Sequence, residues 1–359
     1  MKQEQELLTH YDLIVFCHLR WEFVYQRPQH IISRIAKQGK VLFIEEPLQF
    51  SQEEENTAHM YKVNDAITVF QPKVKSIEGI KDVFKGMPQI TAGVGWVYSP
   101  AFIPLLASFS LNKVVYDCMD ELTLFRGADP ELVEHEKQLL SVADIVFTGG
   151  KRLYESKKKV HGNVYCFPSS VDHVHFRKAL NGIPVPEDMK FNNRPIIGYY
   201  GVIDERIDMN LLGEAAKLLP NATFVMIGPM AKISEEDLAK GDNIHYRGMK
   251  SYEELPAYLK KFDIAMMPFA MNEATHFISP TKTLEYMAAY KPIISTPVYD
   301  VVRDYSHCVH IISTSSDFRD AVNNIITNKD KEALALNFDK VLENTSWDFT
   351  VQKMMEILN

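Results

Sequence analysis

The sequence predicts an α/β protein built from two doubly wound, Rossmann-like domains that face each other across a cleft. Three observations carry that expectation: short apolar runs alternate with amphipathic segments along nearly the whole chain, the alternation breaks once near the middle, and 359 residues are too many for one core. In the first half, Leu13 to Cys17 reads as a strand and Arg27 to Gln38 as a helix that turns Ile31, Ile32 and Ile35 inward. Gly39 stops that helix, and Val41 to Ile44 is the next strand. Val114 to Tyr116 and Ile145 to Thr148 extend the same sheet, whereas Phe50 to Gly95 shows only short strands and turns. From Lys178 to Arg194 there is no clean period and there are two prolines, so this stretch reads as a linker between domains at 1–178 and 195–345.

The second series places strands at Ile196 to Tyr200, Phe224 to Ile227, Ile244 to Tyr246, Ile264 to Met267 and Ile293 to Ser295. Helices near Met209 to Leu219, Tyr252 to Lys261 and Thr281 to Tyr290 separate them, and Ser251 with Glu254 forms a capping box. A last amphipathic helix, Trp347 to Leu358, begins after a Ser346 cap. Parallel sheets bind ligands at their carboxyl ends, so the cleft between the domains is the expected site.

Composition narrows the function classes. Hydrophobic residues at 46% and charged residues at 24% support full-sized cores, and a net charge of -8 argues against bulk nucleic-acid binding. No apolar run reaches a membrane span, and the polar start from Met1 to His10 is unlike a signal peptide, which together predict a cytoplasmic protein. Cys17, Cys118, Cys166 and Cys308 lack zinc-like spacing and read as reduced thiols; no metal site is expected. The basic run Lys151, Arg152, Lys157, Lys158, Lys159 suits a solvated helix face better than an anionic lipid surface.

The chemistry concentrates in Ser279-Pro280-Thr281-Lys282-Thr283-Leu284-Glu285-Tyr286. Ser279 as N-cap and Pro280 as first helical residue would start a helix whose free N–H groups attract an anion. Lys282 adds a cation that opposes the helix dipole unless an anion lies between them, and Glu285, on the same face, can accept from a ribose diol. The plainer reading is a surface pair between Lys282 and Glu285. Gly198 and Gly201 flank Tyr199-Tyr200 at the end of a strand, followed by Arg206, which suits close approach and bidentate contact to a phosphate. A tight turn with an Arg206–Asp208 pair is the plainer account. Arg247-Gly248-Met249-Lys250 follows another strand, where backbone groups can read a base edge with Met249 on its face.

In the first domain, His18, Arg20, Trp21, Arg27 and His30 cluster in and just after the loop that follows the first strand, a place suited to a sugar. Asp117, Asp120 and Glu121 follow a later strand, and a carboxylate there can deprotonate an acceptor hydroxyl; helix capping is the alternative.

These stretches together resemble a bacterial glycosyltransferase of the GT-B fold, in the neighbourhood of the family-4 and teichuronic-acid-type enzymes. The resemblance runs over nearly the whole chain and rests on Phe23-Val24-Tyr25-Gln26-Arg27-Pro28-Gln29-His30, Val115-Tyr116-Asp117-Cys118-Met119-Asp120, Gly201-Val202-Ile203-Asp204-Glu205-Arg206 and Ile278 through Ala288. It implies a UDP-sugar donor held without metal or other cofactor, with Lys282 and Arg206 on the diphosphate and Glu285 on the ribose, among donor contacts that include Gly201, Met249, Ser279 and Thr281. It also implies a saccharide or lipid-linked acceptor near Arg20, Trp21 and Arg27, peripheral contact with the inner face of a membrane, and a final helix, 346–359, that returns to the first domain. His18, Asp117 and Asp120 are the candidates for catalysis. Family-4 retaining enzymes carry a second glutamate eight positions before the one matched here by Glu285, where this chain has Phe277; Glu273 is the nearby substitute. The pattern is also similar to the inverting xanthan-type glucuronosyltransferase, and both stereochemical outcomes stay open. Two rivals share the pattern in part: a UDP-sugar 2-epimerase and a non-catalytic two-domain sugar-binding protein.

Overall fold

The computed structural model describes residues 7–47, 57–192, 194–273, 275–328 and 330–358, and the chain divides into two compact units, Met1–Pro168 and Ser169–Asn359. The first unit holds strands β1 (His10–Cys17), β2 (Val41–Glu45), β3 (Thr57–Lys62), β4 (Ile67–Lys73), β5 (Thr91–Val97), β6 (Ser110–Cys118), β7 (Ile145–Thr148) and β8 (Val164–Cys166). Among the described residues they form one sheet in the order β3-β4-β2-β1-β5-β6-β7-β8, parallel throughout except for β3 on β4. Position explains composition. The central β2, Val-Leu-Phe-Ile-Glu, is buried at every residue, whereas the edge strand β3 is half-buried or exposed along its length.

The second unit holds β9 (Ile196–Tyr200), β10 (Thr223–Ile227), β11 (Ile244–Tyr246), β12 (Ile264–Met267), β13 (Ile293–Ser295) and β14 (His310–Ile311). These lie in the order β11-β10-β9-β12-β13-β14 and every pairing is parallel. In both units the chain first builds outward on one side and then crosses to the other, between β1 and β5 and between β9 and β12. That reversal opens a crevice at the carboxyl ends of the two strands, where ligands of such sheets bind.

Helix starts follow their caps. Ser251 and Glu254 make the expected reciprocal box, and Ser346 Oγ accepts from the Phe349 N–H at 3.1 Å ahead of the Trp347–Leu358 helix. Ile31, Ile32 and Ile35 turn inward from the Arg27–Ile35 helix as their spacing predicts. The irregular stretch from 50 to 95 contains β3, β4 and β5; its first residues, like Met1 to Glu6, lie outside the described residues.

Three expectations are corrected. The division between units falls at Pro168/Ser169, and 178–194 is no solvated linker: Met189 is fully buried in the second unit's core, and the Lys260 ammonium donates to the Asn181 and Ile183 carbonyls at 3.1 and 2.8 Å. Its prolines break the helical period without freeing the chain from the core. The terminal helix belongs to the second unit, where its Thr350 hydroxyl lies 2.7 Å from Ser170 Oγ and Trp347 is buried. Lys157 leaves the basic face altogether. It is buried against Glu121 at 2.9 Å and Glu136 at 2.7 Å, because the period of its helix carries it inward. Among the described residues no helix is long and apolar enough to cross a membrane.

Gly198 illustrates how closely β9 is packed: a Cβ there would stand 2.2 Å from the buried Phe262 ring. Gly198→Ala is expected to destabilise the protein by about 1–3 kcal/mol through overpacking. Urea unfolding of the two proteins checks this, and an unchanged midpoint contradicts it.

Candidate functional site

At the crevice of the second sheet, β9 delivers two buried tyrosines, Tyr199 and Tyr200, and then Gly201 at φ 138°. A side chain at 201 would strain the backbone and push the lysine aside. A Cβ would lie 2.2 Å from Lys282 Cε and 2.6 Å from its Nζ, so the lysine runs through the space that glycine leaves. Its ammonium stands 5.5 Å from the centroid of the Tyr199 ring, a cation–π distance. The neighbouring strand contributes a second close approach: Gly228, at φ 145°, follows β10, and a Cβ there would fall 1.9 Å from the Gly201 carbonyl oxygen. Gly201 N–H donates to the Ile227 carbonyl at 2.8 Å, and Gly228 N–H to that of Gly248 at 2.8 Å, so the ends of three adjacent strands are joined through bare backbone.

Arg206 sits in the same loop. Its Nε donates to both carboxylate oxygens of Asp204 at 3.0 Å, and its Nη2 to Oδ2 at 2.7 Å. The pair with Asp208 that spacing alone allowed does not form, because Asp208 caps the Met209–Leu218 helix through the Leu211 N–H at 2.9 Å. Burial pushes the Tyr199 phenol up and the Arg206 charge works against that shift, so Tyr199 feels Arg206 as well as Lys282.

Glu285 is 8% exposed and accepts from the Tyr200 hydroxyl at 2.8 Å. Burial raises its carboxyl to about pKa 7, with the Lys282 charge and the Tyr200 hydrogen bond pulling the other way. Lys282 and Glu285 are therefore no surface pair.

The helix that carries them begins later than the sequence predicts. It spans Lys282–Ala288 with Thr281 at the cap position, and Ser279 is not a cap: its carbonyl accepts from Ser169 Oγ at 2.8 Å. Thr281 Oγ1 donates in turn to Ser169 Oγ at 3.0 Å. The expected fan of free N–H groups is also reduced, since Thr283 and Leu284 donate to the Pro280 and Thr281 carbonyls at 3.1 Å. Tight turns consume these donors, so the positive character of the site rests on Lys282 and Arg206 rather than on the helix end.

Met249, 44% exposed, follows Gly248 at the same sheet edge, while Glu273 lies in an exposed turn ahead of the Thr275–Phe277 helix. Asp204 and Gly228 escaped the sequence reading. Gly228 carried the same signal as Gly201, a glycine directly after an apolar strand; Asp204 carried none beyond its distance of two residues from Arg206.

At the carboxyl edge of the first sheet, His18 and Arg20 follow β1, half-buried, and Asp120 follows β6, also half-buried. Trp21 packs edge-on against Phe43 with centroids 5.1 Å apart, and its backbone N–H donates to Glu45 Oε1 at 2.7 Å. Glu45, at the end of β2, also accepts from Gln71 at 2.9 Å; burial raises its carboxyl, and these two hydrogen bonds oppose the shift. Asp117 and Arg27 do not line the edge as expected. Asp117 is 0% exposed and receives Arg27 Nε at 3.0 Å, Arg27 Nη2 at 2.8 Å and Trp96 Nε1 at 3.3 Å. Arg27 Nη1 donates to the Phe167 carbonyl at 2.8 Å. A carboxylate enclosed in this way has no approach for an acceptor hydroxyl, and the pair is a structural one whose breakage costs about 3–5 kcal/mol. Glu121, paired with the buried Lys157, is likewise structural. Among the described residues no group of three or more His, Cys, Asp or Glu side chains is arranged to hold a metal ion.

Comparison with known proteins bears on the fold. Residues 194–344 match the family model described as "Glycosyl transferases group 1". TuaH of Bacillus subtilis (strain 168), provisionally named a teichuronic acid biosynthesis glycosyltransferase, is 25% identical over 222 residues, which is 56% of this chain and 54% of TuaH. The matched region thus spans about half the length of that relative. Among solved structures, sucrose-phosphate synthase from Thermosynechococcus elongatus superposes with a TM-score of 0.71 at 14% identity, covering 96% of this chain and 97% of the other. A trehalose-6-phosphate protein of E. coli bound with UDP-2-fluoro glucose superposes with a TM-score of 0.67 at 12% identity, covering 96% and 98%. The chain has the GT-B fold of glycosyltransferases. Within it, the residues that match the group 1 glycosyltransferase model, 194–344, include Gly201, Arg206, Lys282 and Glu285.

The raised pKa of Glu285 sets a pH dependence. The folded protein holds this proton up to about pH 7, whereas a free glutamic acid releases it near 4.5, so the folded state binds more protons in between and loses stability as pH rises through that window. The loss amounts to about 3 kcal/mol across it. Glu285→Gln is expected to gain stability over the natural protein between pH 5 and pH 8. Urea titrations at the two pH values measure the difference, and a gap independent of pH contradicts it.

Proposed function

We propose that the protein transfers a sugar from a UDP-sugar to a saccharide or lipid-linked saccharide acceptor during synthesis of a surface polysaccharide. The observation that carries this reading is the lysine lying against Gly201 over the Tyr199 ring, whose phenol also feels the Arg206 charge, in the region that matches the group 1 glycosyltransferase model. When the bond between the sugar's anomeric carbon and the diphosphate breaks, charge grows on the leaving phosphate. Lys282 and Arg206 stabilise that charge in place of a metal ion, and they are set before the reaction begins. Glu285 accepts from the ribose hydroxyls, and the loop of Met249 meets the base. On the first unit's edge, Arg20 and Trp21 hold the acceptor, and Asp120 or His18 takes the proton from its hydroxyl; Asp117 and Arg27 are excluded by their burial.

The choice of uridine nucleotide is supported by the E. coli structure bound with UDP-2-fluoro glucose, and the polysaccharide product by the name of TuaH. The reaction belongs in the cytoplasm, with peripheral contact to the inner face of a membrane as the resemblance implies.

Lys282→Ala is expected to weaken UDP binding by about tenfold or more and to remove sugar transfer. Calorimetry with UDP checks it, and unchanged affinity overturns the donor-site assignment. Gly201→Ala should weaken UDP binding to a similar degree while Lys282 is still present, since the new Cβ displaces the lysine. Incubation with a UDP-sugar panel in EDTA, with and without acceptor, completes the test: product that forms without acceptor indicates an epimerase.

A further inference from the structure

The loop between β9 and the Met209–Leu218 helix is held on both sides. Ile203 N–H donates to the Pro229 carbonyl at 2.9 Å and the Ile203 carbonyl accepts from Ala231 N–H at 3.0 Å, tying the loop to the segment after β10. The Arg206 carbonyl accepts from Ala270 N–H at 2.8 Å and Asp208 N–H donates to the Pro268 carbonyl at 2.8 Å, tying it to the segment after β12. Between these two anchors stand Asp204 and Arg206. Asp204 is 7% exposed, and Oδ1 accepts from the Arg206 backbone N–H at 3.0 Å as well as from its guanidinium. The carboxylate therefore grips its arginine at backbone and side chain together, on a loop whose backbone has little freedom to move.

We infer that Asp204 is a positioning residue for diphosphate binding, orienting the Arg206 guanidinium by its Nε–Nη2 edge so that the phosphate meets a preformed cation. The physical case is one of order. An arginine side chain carries about 2 kcal/mol of rotamer entropy, and a fork with a buried carboxylate removes that freedom before ligand arrives. A carboxylate near a diphosphate also repels it, so its presence helps binding only through the arginine it fixes. This inference rests on the assignment of Arg206 and Lys282 to the diphosphate.

A double-mutant cycle in the full chain separates the alternatives, with UDP and uridine as calorimetric probes. Asp204→Ala and the near-isosteric Asp204→Asn are each expected to weaken UDP binding by about threefold to tenfold, the alanine more than the asparagine, and to leave uridine binding unchanged. In the Arg206→Ala background, Asp204→Ala should cause no further loss, because the residue acts through the arginine. Tighter UDP binding in either Asp204 variant would overturn the inference by showing the carboxylate to be a competitor. An equal loss with Arg206 already removed, or equal loss of uridine binding, would overturn it by showing a general role in the loop. Unchanged UDP affinity in both Arg206→Ala and Lys282→Ala would instead sink the donor-site assignment, a result distinct from failure of Asp204 alone.

Discussion

A single close approach organises the second unit: position 201 has no side chain, and Lys282 Cε and its ammonium fill the room that a Cβ would take. The lysine is thereby laid along the end of β9 over the Tyr199 ring, from a helix that follows β12. Because β9 and β12 are neighbours across the sheet's reversal, elements far apart in the chain place a glycine and a lysine in contact. Gly228 repeats the device one strand over, bringing its backbone against that of Gly201. Side chains are removed where backbone and cation must come close.

The two units handle buried charge differently. In the first, Arg27 and Lys157 are sealed into ion pairs with Asp117 and with Glu121 and Glu136, which satisfies the ions and fixes the packing but leaves them out of reach of a ligand. In the second, Arg206 is paired with Asp204 yet keeps 25% of its side chain exposed at the sheet edge. Glu285 completes the contrast: it is buried with a tyrosine hydroxyl and the Lys282 charge near it, and its ionisation lies close to neutral pH instead of being locked in either state.

Much of the framework was legible in the amino-acid sequence because it depends on period. β7, β9, β11, β12 and β13 have the bounds that their apolar runs mark, and the Trp347–Leu358 helix begins where Ser346 caps it. The candidate site was legible in part. Gly201, Arg206, Lys282 and Glu285 stand at ends of elements where chemistry was expected; Lys282 lies against Gly201, its charge acts on Glu285, and Tyr199 feels Arg206. Other residues with the same promise do not serve it: Asp117, Arg27 and Glu121 are polar residues at an edge in sequence and members of buried pairs in space. Short strands such as β14, two residues long, leave too brief a pattern to read.

The alternation of strand and helix, the parallel sheets that follow from it, and caps such as Ser251 and Ser346 could be read from the residues alone, since each depends on contacts between residues near in the chain. Which charges neutralise one another in the core and which stay partly exposed at a sheet edge came from the folded arrangement alone. Arg27 finds Asp117 across 90 positions, and Tyr200 finds Glu285 across 85. Local spacing carries no information about such partners, and a side chain's solvation and charge environment, which set its chemistry, come from them.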